Sequence, residues 1–178
     1  MATATVITAS AEATREVAGC LAGAARRGDV ILLAGGLGAG KTTFAQGFAR
    51  ALGVEGPVTS PTFTLVRQYP CALGQLFHAD VYRLEQLAEV ADLGLGELVE
   101  DGGMALVEWG DVAAPVLGPV SCTVRIERPL AAQPSCADDL AGRRSRADDS
   151  PRADDSSGAD DRRTLTVVGD ERFAAVLP

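Results

Sequence analysis

Residues 30–43 read VILLAGGLGAGKTT, and this stretch decides the fold. Val30–Ala34 is a short, continuous apolar run, which is typical of a central strand covered on both faces. Gly35–Thr42 follows at once and satisfies the pattern G-x-x-x-x-G-K-[ST]. Behind it, Thr42–Leu52 presents one apolar helical face. A strand, a glycine loop and a helix in direct succession predict a phosphate-binding loop in an α/β domain.

The glycine loop supplies most of the candidate nucleotide-binding residues. Glycines let successive backbone N–H groups curve around phosphate oxygens, and the following helix presents its positive end. Lys41 would bridge the β- and γ-phosphates, the Thr42 hydroxyl would ligate Mg²⁺, and Thr43 would bond the α-phosphate. The alternative is a merely flexible glycine turn. The candidates here are Gly36, Leu37, Gly38, Ala39, Gly40, Lys41, Thr42 and Thr43.

Weaker strand and helix signals lie on both sides of this loop. Apolar periodicity, N-cap residues and Gly or Pro breaks delimit these elements. The predicted strands are an edge strand at Thr3–Thr8, a hairpin of Phe63–Tyr69 and Leu76–Tyr82 around Pro70–Gln75, and strands at Met104–Val107, Ser121–Glu127 and Thr164–Val168, the last at a sheet edge. The predicted helices run from the N-cap Ser10 to about Arg26, over Thr42–Leu52 with Gly53 ending it, over Leu84–Asp101 as one or two short helices broken at Gly94 and Gly96, and within Asp170–Leu177 as a closing helix.

Two acidic residues end predicted strands and compete for the position beside the metal. Met104–Val107 runs into Glu108, and the segment around His78 runs into Asp80. One carboxylate would hold the Mg²⁺ shell and the other would orient the attacking water. For either acid alone, a solvated strand terminus is the alternative. His78, the only histidine, is interpreted as a packed polar residue rather than a catalyst.

Other polar and aromatic residues near these acids have two interpretations each. The segment Ser60-Pro-Thr62-Phe-Thr64 offers three hydroxyls, which suit either a loop that senses a γ-phosphate or a simple β-turn. Trp109 suits an interface or internal packing. Arg83 suits an interface or an ordinary surface position.

Residues 134–161 differ in kind from the rest of the chain. Ala-Asp-Asp recurs at residues 137–139, 147–149, 153–155 and 159–161, between Arg, Ser and Pro and without apolar periodicity. Such a segment cannot bury enough surface to offset its ordering entropy. We therefore predict one P-loop domain built from residues 1–133 and 162–178, interrupted by a disordered Asp/Arg-rich insertion at 134–161.

Composition limits the classes of partner. The formal net charge is −8, and Lys41 is the only lysine among 16 basic residues, whereas a protein that grips nucleic-acid backbones needs clustered Lys and Arg. Any contact with RNA is therefore expected through a partner. The four cysteines lack metal-ligand spacing, and no apolar run has the length of a bilayer span. We expect reduced thiols, no membrane contact and a cytoplasmic location.

Four motifs follow one another along the chain: Leu37-Gly-Ala-Gly-Lys-Thr-Thr-Phe44, Ser60-Pro-Thr-Phe-Thr-Leu-Val66, His78-Ala-Asp-Val-Tyr-Arg-Leu84 and Val107-Glu-Trp109. Together they resemble the bacterial TsaE (YjeE) family. The first motif is shared by many ATPases, whereas the other three are more particular, and the resemblance covers about residues 5–128 and resumes near Arg163. It implies a P-loop NTPase three-layer α/β fold with a mixed, mainly parallel central sheet.

The resemblance implies a Mg²⁺-dependent ATPase for threonylcarbamoyladenosine (t6A) modification of tRNA, working with the TsaB and TsaD proteins. It assigns Lys41, Asp80 and Glu108 to catalysis and Thr42 and Glu108 to Mg²⁺. It also places the segment Ser10 to Thr14 near the base of ATP, with Ala11 and Thr14 as candidate contacts. Gly36 departs from the family, which usually has Asp there, so any bracing of the loop by that carboxylate is absent.

Other function classes use the same loop. A small-molecule kinase is the strongest rival enzyme, because it would bind the same phosphates and magnesium. A non-catalytic assembly module, in which ATP only orders a partner-binding surface, is a further alternative. A GTPase that reads guanine through Asn-Lys-x-Asp is excluded, because the only lysine is committed to the loop.

Overall fold

The computed structural model describes residues 1–84, 86–110, 113–129 and 161–178. The predicted insertion therefore lies outside the described residues, except for Asp161. The strands are β1 Ala2–Thr8, β2 Val30–Ala34, β3 Val66–Cys71, β4 Gly74–Asp80, β5 Met104–Glu108, β6 Cys122–Glu127 and β7 Arg163–Gly169. The helices are α1 Ala11–Ala24, α2 Lys41–Ala51, α3 Leu87–Ala91, α4 Leu95–Glu100 and α5 Glu171–Ala174, with a short 3₁₀ helix at Ala114–Val116.

Seven strands form one mixed sheet in the order β1-β7-β6-β2-β5-β4-β3. The four central strands, β6, β2, β5 and β4, pair in parallel. The outer pairings of β3 with β4, β6 with β7 and β7 with β1 are antiparallel. Parallel central strands bring their carboxyl ends to one edge of the sheet, where ligands bind in open α/β folds. The phosphate-binding loop leaves β2 at this edge.

Helices cover the sheet on both faces, so the predicted three-layer α/β fold is confirmed. Side chains of β2 alternate between the two layers, as the pleat of a strand requires. Ile31 and Leu33 pack with residues of α1, α2 and α5, including the fully buried Phe44. Val30 and Leu32 pack with residues of α3 and α4. All five residues of β2 are buried, which explains the continuous apolar run that identified the strand.

The start of α1 and the end of α2 both carry the residues that the sequence predicts for them. Ser10 is the N-cap of α1, and its Oγ accepts from the Ala13 N–H at 3.0 Å, which confirms the predicted cap. Gly53 follows Leu52, the C-cap of α2, and has a φ of 79°. Its N–H donates to the Arg50 carbonyl, as expected of the glycine that ends a helix.

Several predicted boundaries differ from the structure. The hairpin turn is shorter than Pro70–Gln75, because β3 runs through Pro70 to Cys71 and β4 begins at Gly74. An edge strand such as β3 tolerates proline on its solvent side. Phe63 lies in a turn before β3. Gly94 is the N-cap of α4 and has a φ of 64°. Gly96 lies inside α4 and does not break it.

Two further differences concern the C-terminal residues. β7 does not lie at the sheet edge, because β1 pairs along its outer side over seven residue pairs. The closing helix, α5, is shorter than predicted and ends at Ala174. No helix within the described ranges is both long and apolar enough to cross a bilayer.

A cluster of charged and polar side chains joins α5 to the residue before β2. The Asp29 carboxylate, 4 % exposed, accepts from Arg172 Nη2 at 2.6 Å and from Nη1 at 3.0 Å. It also accepts from the Ser121 hydroxyl at 2.8 Å. This pairing raises the pKa of Arg172 above its usual value, although partial burial opposes the shift. The C-terminal helix is thereby tied to two central strands.

Replacing Arg172 with Met is expected to lower the free energy of unfolding by about 2 kcal/mol, because it leaves a buried carboxylate without its cation. Chemical denaturation followed by circular dichroism measures this change. The matched control is Arg67→Met on the exposed edge strand β3, which should change stability by less than about 0.5 kcal/mol. An equal effect of the two substitutions would contradict the proposed fastening of α5.

Candidate functional site

The phosphate-binding loop lies in a cleft at the carboxyl edge of the central strands. Gly35 has a φ of 142°, and a Cβ atom there would stand 2.3 Å from the Ile126 carbonyl oxygen. Gly40 has a φ of 112°, a conformation that side-chain-bearing residues rarely adopt. Both glycines are therefore required by the shape of the loop. A cavity of about 340 Å³ beside it is lined by Leu37, Gly38, Ala39, Gly40, Lys41, Thr42, Thr43, Ser60, Thr62, Asp80, Tyr82, Glu108, Trp109 and Arg163.

Lys41 points its ammonium group into this cleft. Its Nζ donates to the carbonyl oxygens of Gly35 at 2.8 Å and Gly36 at 2.9 Å. The same atom lies 3.6 Å from the centroid of the Trp109 ring, a cation–π contact. Trp109 directly follows β5, has a φ of 62° and packs its ring against Tyr82. An aromatic wall therefore borders the lysine that the sequence predicts as a phosphate ligand.

Glu108 contacts Thr42 at the start of α2. The sequence predicts these two residues as the metal ligands. Thr42 Oγ1 donates to Glu108 Oε1 at 3.0 Å and lies 3.3 Å from Oε2. The Glu108 side chain is almost fully buried at the end of β5. A hydroxyl and a carboxylate in contact form a hard oxygen donor set, which suits Mg²⁺.

His78 supports Glu108 from the neighbouring strand. Its Nε2 lies 2.9 Å from Glu108 Oε1, and the imidazole is fully buried. An ionised carboxylate only accepts, so the tautomer of His78 with its hydrogen on Nε2 is the one that suits this contact. Nδ1 is buried and has no hydrogen-bond partner within the described part of the chain. The interpretation of His78 as a packed polar residue holds, and its packing orients a site carboxylate.

Asp80 lies beside Glu108 and accepts hydrogen bonds from two hydroxyls of the residues before β3. The two acids are paired residues of the parallel strands β4 and β5. Asp80 Oδ2 accepts from Ser60 Oγ at 3.1 Å and from Thr62 Oγ1 at 2.6 Å. Its Oδ1 accepts from the Tyr82 N–H at 3.0 Å. Residues 62–64 lie in a turn, and the Ser60 and Thr62 side chains line the cavity beside the loop.

Ala11 and Thr14 lie apart from the cavities beside the loop. Thr14 is fully buried, and its hydroxyl lies 2.9 Å from that of Thr8 and donates to the Ser10 carbonyl at 3.1 Å. The Ala11 N–H donates to the Asp161 carboxylate, which helps to lower the pKa of Asp161 after the larger effect of Arg163. The predicted contact of Ala11 and Thr14 with a nucleotide base stays a prediction.

A second cavity, of about 570 Å³, adjoins the same loop. It is lined by Gly35, Gly36, Leu37 and Ala39 of the loop, by Trp109, and by the end of β6 and the residue after it, from Arg125 to Arg128. Leu37, Ala39 and Trp109 border both cavities. The loop and Trp109 therefore contribute to the lining of both cavities.

Sequence reasoning missed Arg163 as a site residue. It is the first residue of β7, and its Nε donates to the carbonyl oxygen of Ala39 in the loop at 3.2 Å. The Arg163 guanidinium also holds the pKa of Asp161 below its usual value. Its distance of 124 residues from Ala39 leaves no local signal. Only the position of β7 in the sheet reveals the contact.

Comparison with known proteins places this architecture in one family. The family model "Threonylcarbamoyl adenosine biosynthesis protein TsaE" matches residues 8–133. The "tRNA threonylcarbamoyladenosine biosynthesis protein TsaE" of Bacillus subtilis is 48 % identical over 102 residues, which are 57 % of this chain and 63 % of that protein. The protein of the same name from Streptomyces coelicolor is 43 % identical over 118 residues, which are 64 % of this chain and 78 % of that protein.

A solved structure shares this fold. The crystal structure of Bacillus subtilis YdiB superposes with a TM-score of 0.66 at 29 % identity, covering 98 % of this chain and 91 % of that chain. The family model spans more than half of the residues, and the four motifs fall within or beside the cleft. This chain therefore belongs to the TsaE family of threonylcarbamoyladenosine biosynthesis proteins.

Proposed function

We propose that this protein is a Mg²⁺-dependent ATPase that supports t6A modification of tRNA together with TsaB and TsaD. The observation that carries the proposal is the contact of Thr42 in the loop with Glu108 on β5, at 3.0 Å. It joins a phosphate-binding loop to an acid at the sheet edge, the arrangement that an NTPase uses for a nucleotide–metal complex. The TsaE names of the relatives supply the pathway.

The residues at the cleft fit a triphosphate and its metal. A Cβ atom at Gly40 would stand 3.3 Å from Arg163 Nε, so the loop backbone is closely enclosed and can present its amides without side chains. Lys41 would bind the β- and γ-phosphates, and Thr43 the α-phosphate. Thr42 and Glu108 would hold Mg²⁺. Bound Mg²⁺ would supply positive charge against the charge that develops on the phosphates during transfer.

We assign the attacking water to Asp80. Its carboxylate lies on the strand next to Glu108 and is fixed through Ser60, Thr62 and the Tyr82 N–H. In hydrolysis the water oxygen bonds to the γ-phosphorus while the bond to the β–γ bridging oxygen breaks, which yields ADP and phosphate. Asp80 would orient the water and accept its proton, whereas Lys41 would offset the negative charge that develops on the β-phosphate of the departing ADP.

The dependence on partners follows from charge and from the family. With a formal net charge of −8, the chain is not expected to bind tRNA directly, so tRNA would be reached through the complex. TsaB and TsaD would complete the active assembly, and hydrolysis by the isolated protein would be weak. We propose a cytoplasmic location as well, because the proposed activity acts on tRNA.

The test compares phosphate release from MgATP by the purified protein alone and with TsaB and TsaD. We expect slow release alone and faster release with both partners. In a mixture that also contains a tRNA transcript and a threonylcarbamoyl donor, t6A should form only when all three proteins and MgATP are present. Lack of stimulation and of t6A would reject the proposal. Rapid phosphoryl transfer from ATP to an added metabolite, without the partners, would instead identify a small-molecule kinase.

A further inference from the structure

We infer that Arg163 is a positioning residue: its Nε–H holds the Ala39 carbonyl and thereby keeps the phosphate-binding loop in the shape that presents its amides to phosphate. The inference rests on the proposed function for its consequence, since it concerns the loop that would hold ATP. Its structural part concerns the loop alone. The two parts can therefore be tested separately.

The contact is enclosed and joins distant parts of the chain. Arg163 opens β7, pairs with Thr8 of β1 and is 9 % exposed. Its Nε donates to the Ala39 carbonyl at 3.2 Å, and its Nη1 donates to the carbonyl and the carboxylate of Asp161. A buried guanidinium with directed donors has little freedom to move. The strand therefore provides a fixed support for the loop.

The geometry of the peptide bond converts this support into an orientation. In a trans peptide the carbonyl and the N–H of the next residue point in opposite directions. Holding the Ala39 carbonyl toward Arg163 therefore turns the Gly40 N–H away from Arg163. Gly40 immediately precedes α2, where backbone N–H groups form the positive, anion-binding end of a helix. Arg163 thus fixes the direction of an amide expected to bind phosphate.

The glycines of the loop leave room for this arrangement. A Cβ atom at Gly40 would lie 3.3 Å from Arg163 Nε and 3.6 Å from its Cδ, so the arginine packs directly on the backbone there. On the other side, Gly35 packs against the Ile126 carbonyl of β6. The loop is therefore held between the end of β6 and the start of β7, which are adjacent strands of the sheet.

The charge of Arg163 is not the basis of this role. Asp161 accepts from Nη1, and this hydrogen bond lowers the pKa of Asp161, so a carboxylate already faces the guanidinium. The atom that reaches the loop is Nε. A substitution that keeps a donor at that atom should preserve the loop, and one that keeps only the charge should not.

Three variants of Arg163 separate the donor from the charge. Arg163→Gln places an N–H₂ group as many bonds from Cα as Arg Nε, and it removes the charge. Arg163→Lys keeps the charge but has a methylene at that position. Arg163→Met has neither. Amide hydrogen exchange at residues 35–43 without nucleotide, and calorimetric titration with MgADP and MgATP, are measured on each variant and on the native protein.

We expect Arg163→Gln to stay within about twofold of the native protein in loop exchange and in affinity. Arg163→Lys and Arg163→Met should speed loop exchange several-fold and weaken ADP and ATP alike, by about tenfold. An equal loss for both nucleotides indicates loop shape, whereas a loss confined to ATP would place Arg163 on the γ-phosphate and overturn the inference. Thermal unfolding of each variant shows whether the fold is retained.

Two other results would also overturn it: a Lys variant that behaves like the native protein while the Gln variant fails, or identical exchange in all four proteins. If the native protein binds neither nucleotide, the proposed ATPase function fails. The exchange measurement still decides the role of Arg163 in that case, because it requires no nucleotide.

Discussion

Replacing Lys41 with Ala is expected to weaken MgATP binding by about 100-fold or more, because it removes the charge-assisted hydrogen bonds that we propose Lys41 makes to two phosphates. In the structure the Lys41 ammonium is held by two loop carbonyls and the Trp109 ring. Isothermal titration of the purified protein with MgATP measures the loss.

Lys41→Arg is the informative companion of this variant. It keeps the charge, but the planar guanidinium is wider than an ammonium and would have to fit 3.6 Å from the Trp109 ring centroid. We expect it to lose at least about tenfold in affinity as well. Circular dichroism should show a retained fold for both variants. Unchanged ATP affinity of the Ala variant would refute the assignment of Lys41.

Replacing Glu108 with Gln is expected to reduce partner-stimulated ATP hydrolysis by about 100-fold, because it removes the carboxylate assigned to the metal. An amide in the same place can still accept from Thr42 and from His78, so the local packing is retained. Binding of ADP measured without Mg²⁺ should therefore change little. Phosphate release at increasing Mg²⁺ concentration measures the effect, and the variant should need more metal.

The matched control is Glu100→Gln, which removes the same charge from the exposed last turn of α4. It should leave hydrolysis and its Mg²⁺ dependence within about twofold of the native protein, as expected of a surface substitution. Equal hydrolysis by the Glu108 and Glu100 variants would exclude a metal-linked role for Glu108.

The parts of the fold that the sequence predicts well are those whose cause is local. The apolar run of β2, the glycines of the loop and the apolar face of α2 follow one another directly, and each has a steric or packing reason within a few residues. The Ser10 cap depends only on its own hydroxyl and the next turn. Family motifs then added the mixed sheet and three layers, which are both confirmed.

The pairings that complete the site depend on strand order, which local patterns do not contain. His78 and Glu108 are 30 residues apart, and they meet only because β4 and β5 are parallel neighbours. The hydroxyls of Ser60 and Thr62 reach Asp80 because the antiparallel pairing of β3 with β4 brings the residues before β3 to the end of β4. The sequence named the two acids but left their division of labour open. Their different partners in the structure support the roles proposed above.

The pairing of β6 with β7 has a practical consequence for work on this protein. Glu127 lies opposite Thr164, so the residues between them leave and re-enter the sheet on adjacent strands. Doubling the length of a loop costs in general only about 0.6 kcal/mol of closure entropy. An affinity tag or a fluorescent protein inserted between these two strands is therefore expected to leave their pairing intact, and it would allow assembly to be followed in living cells.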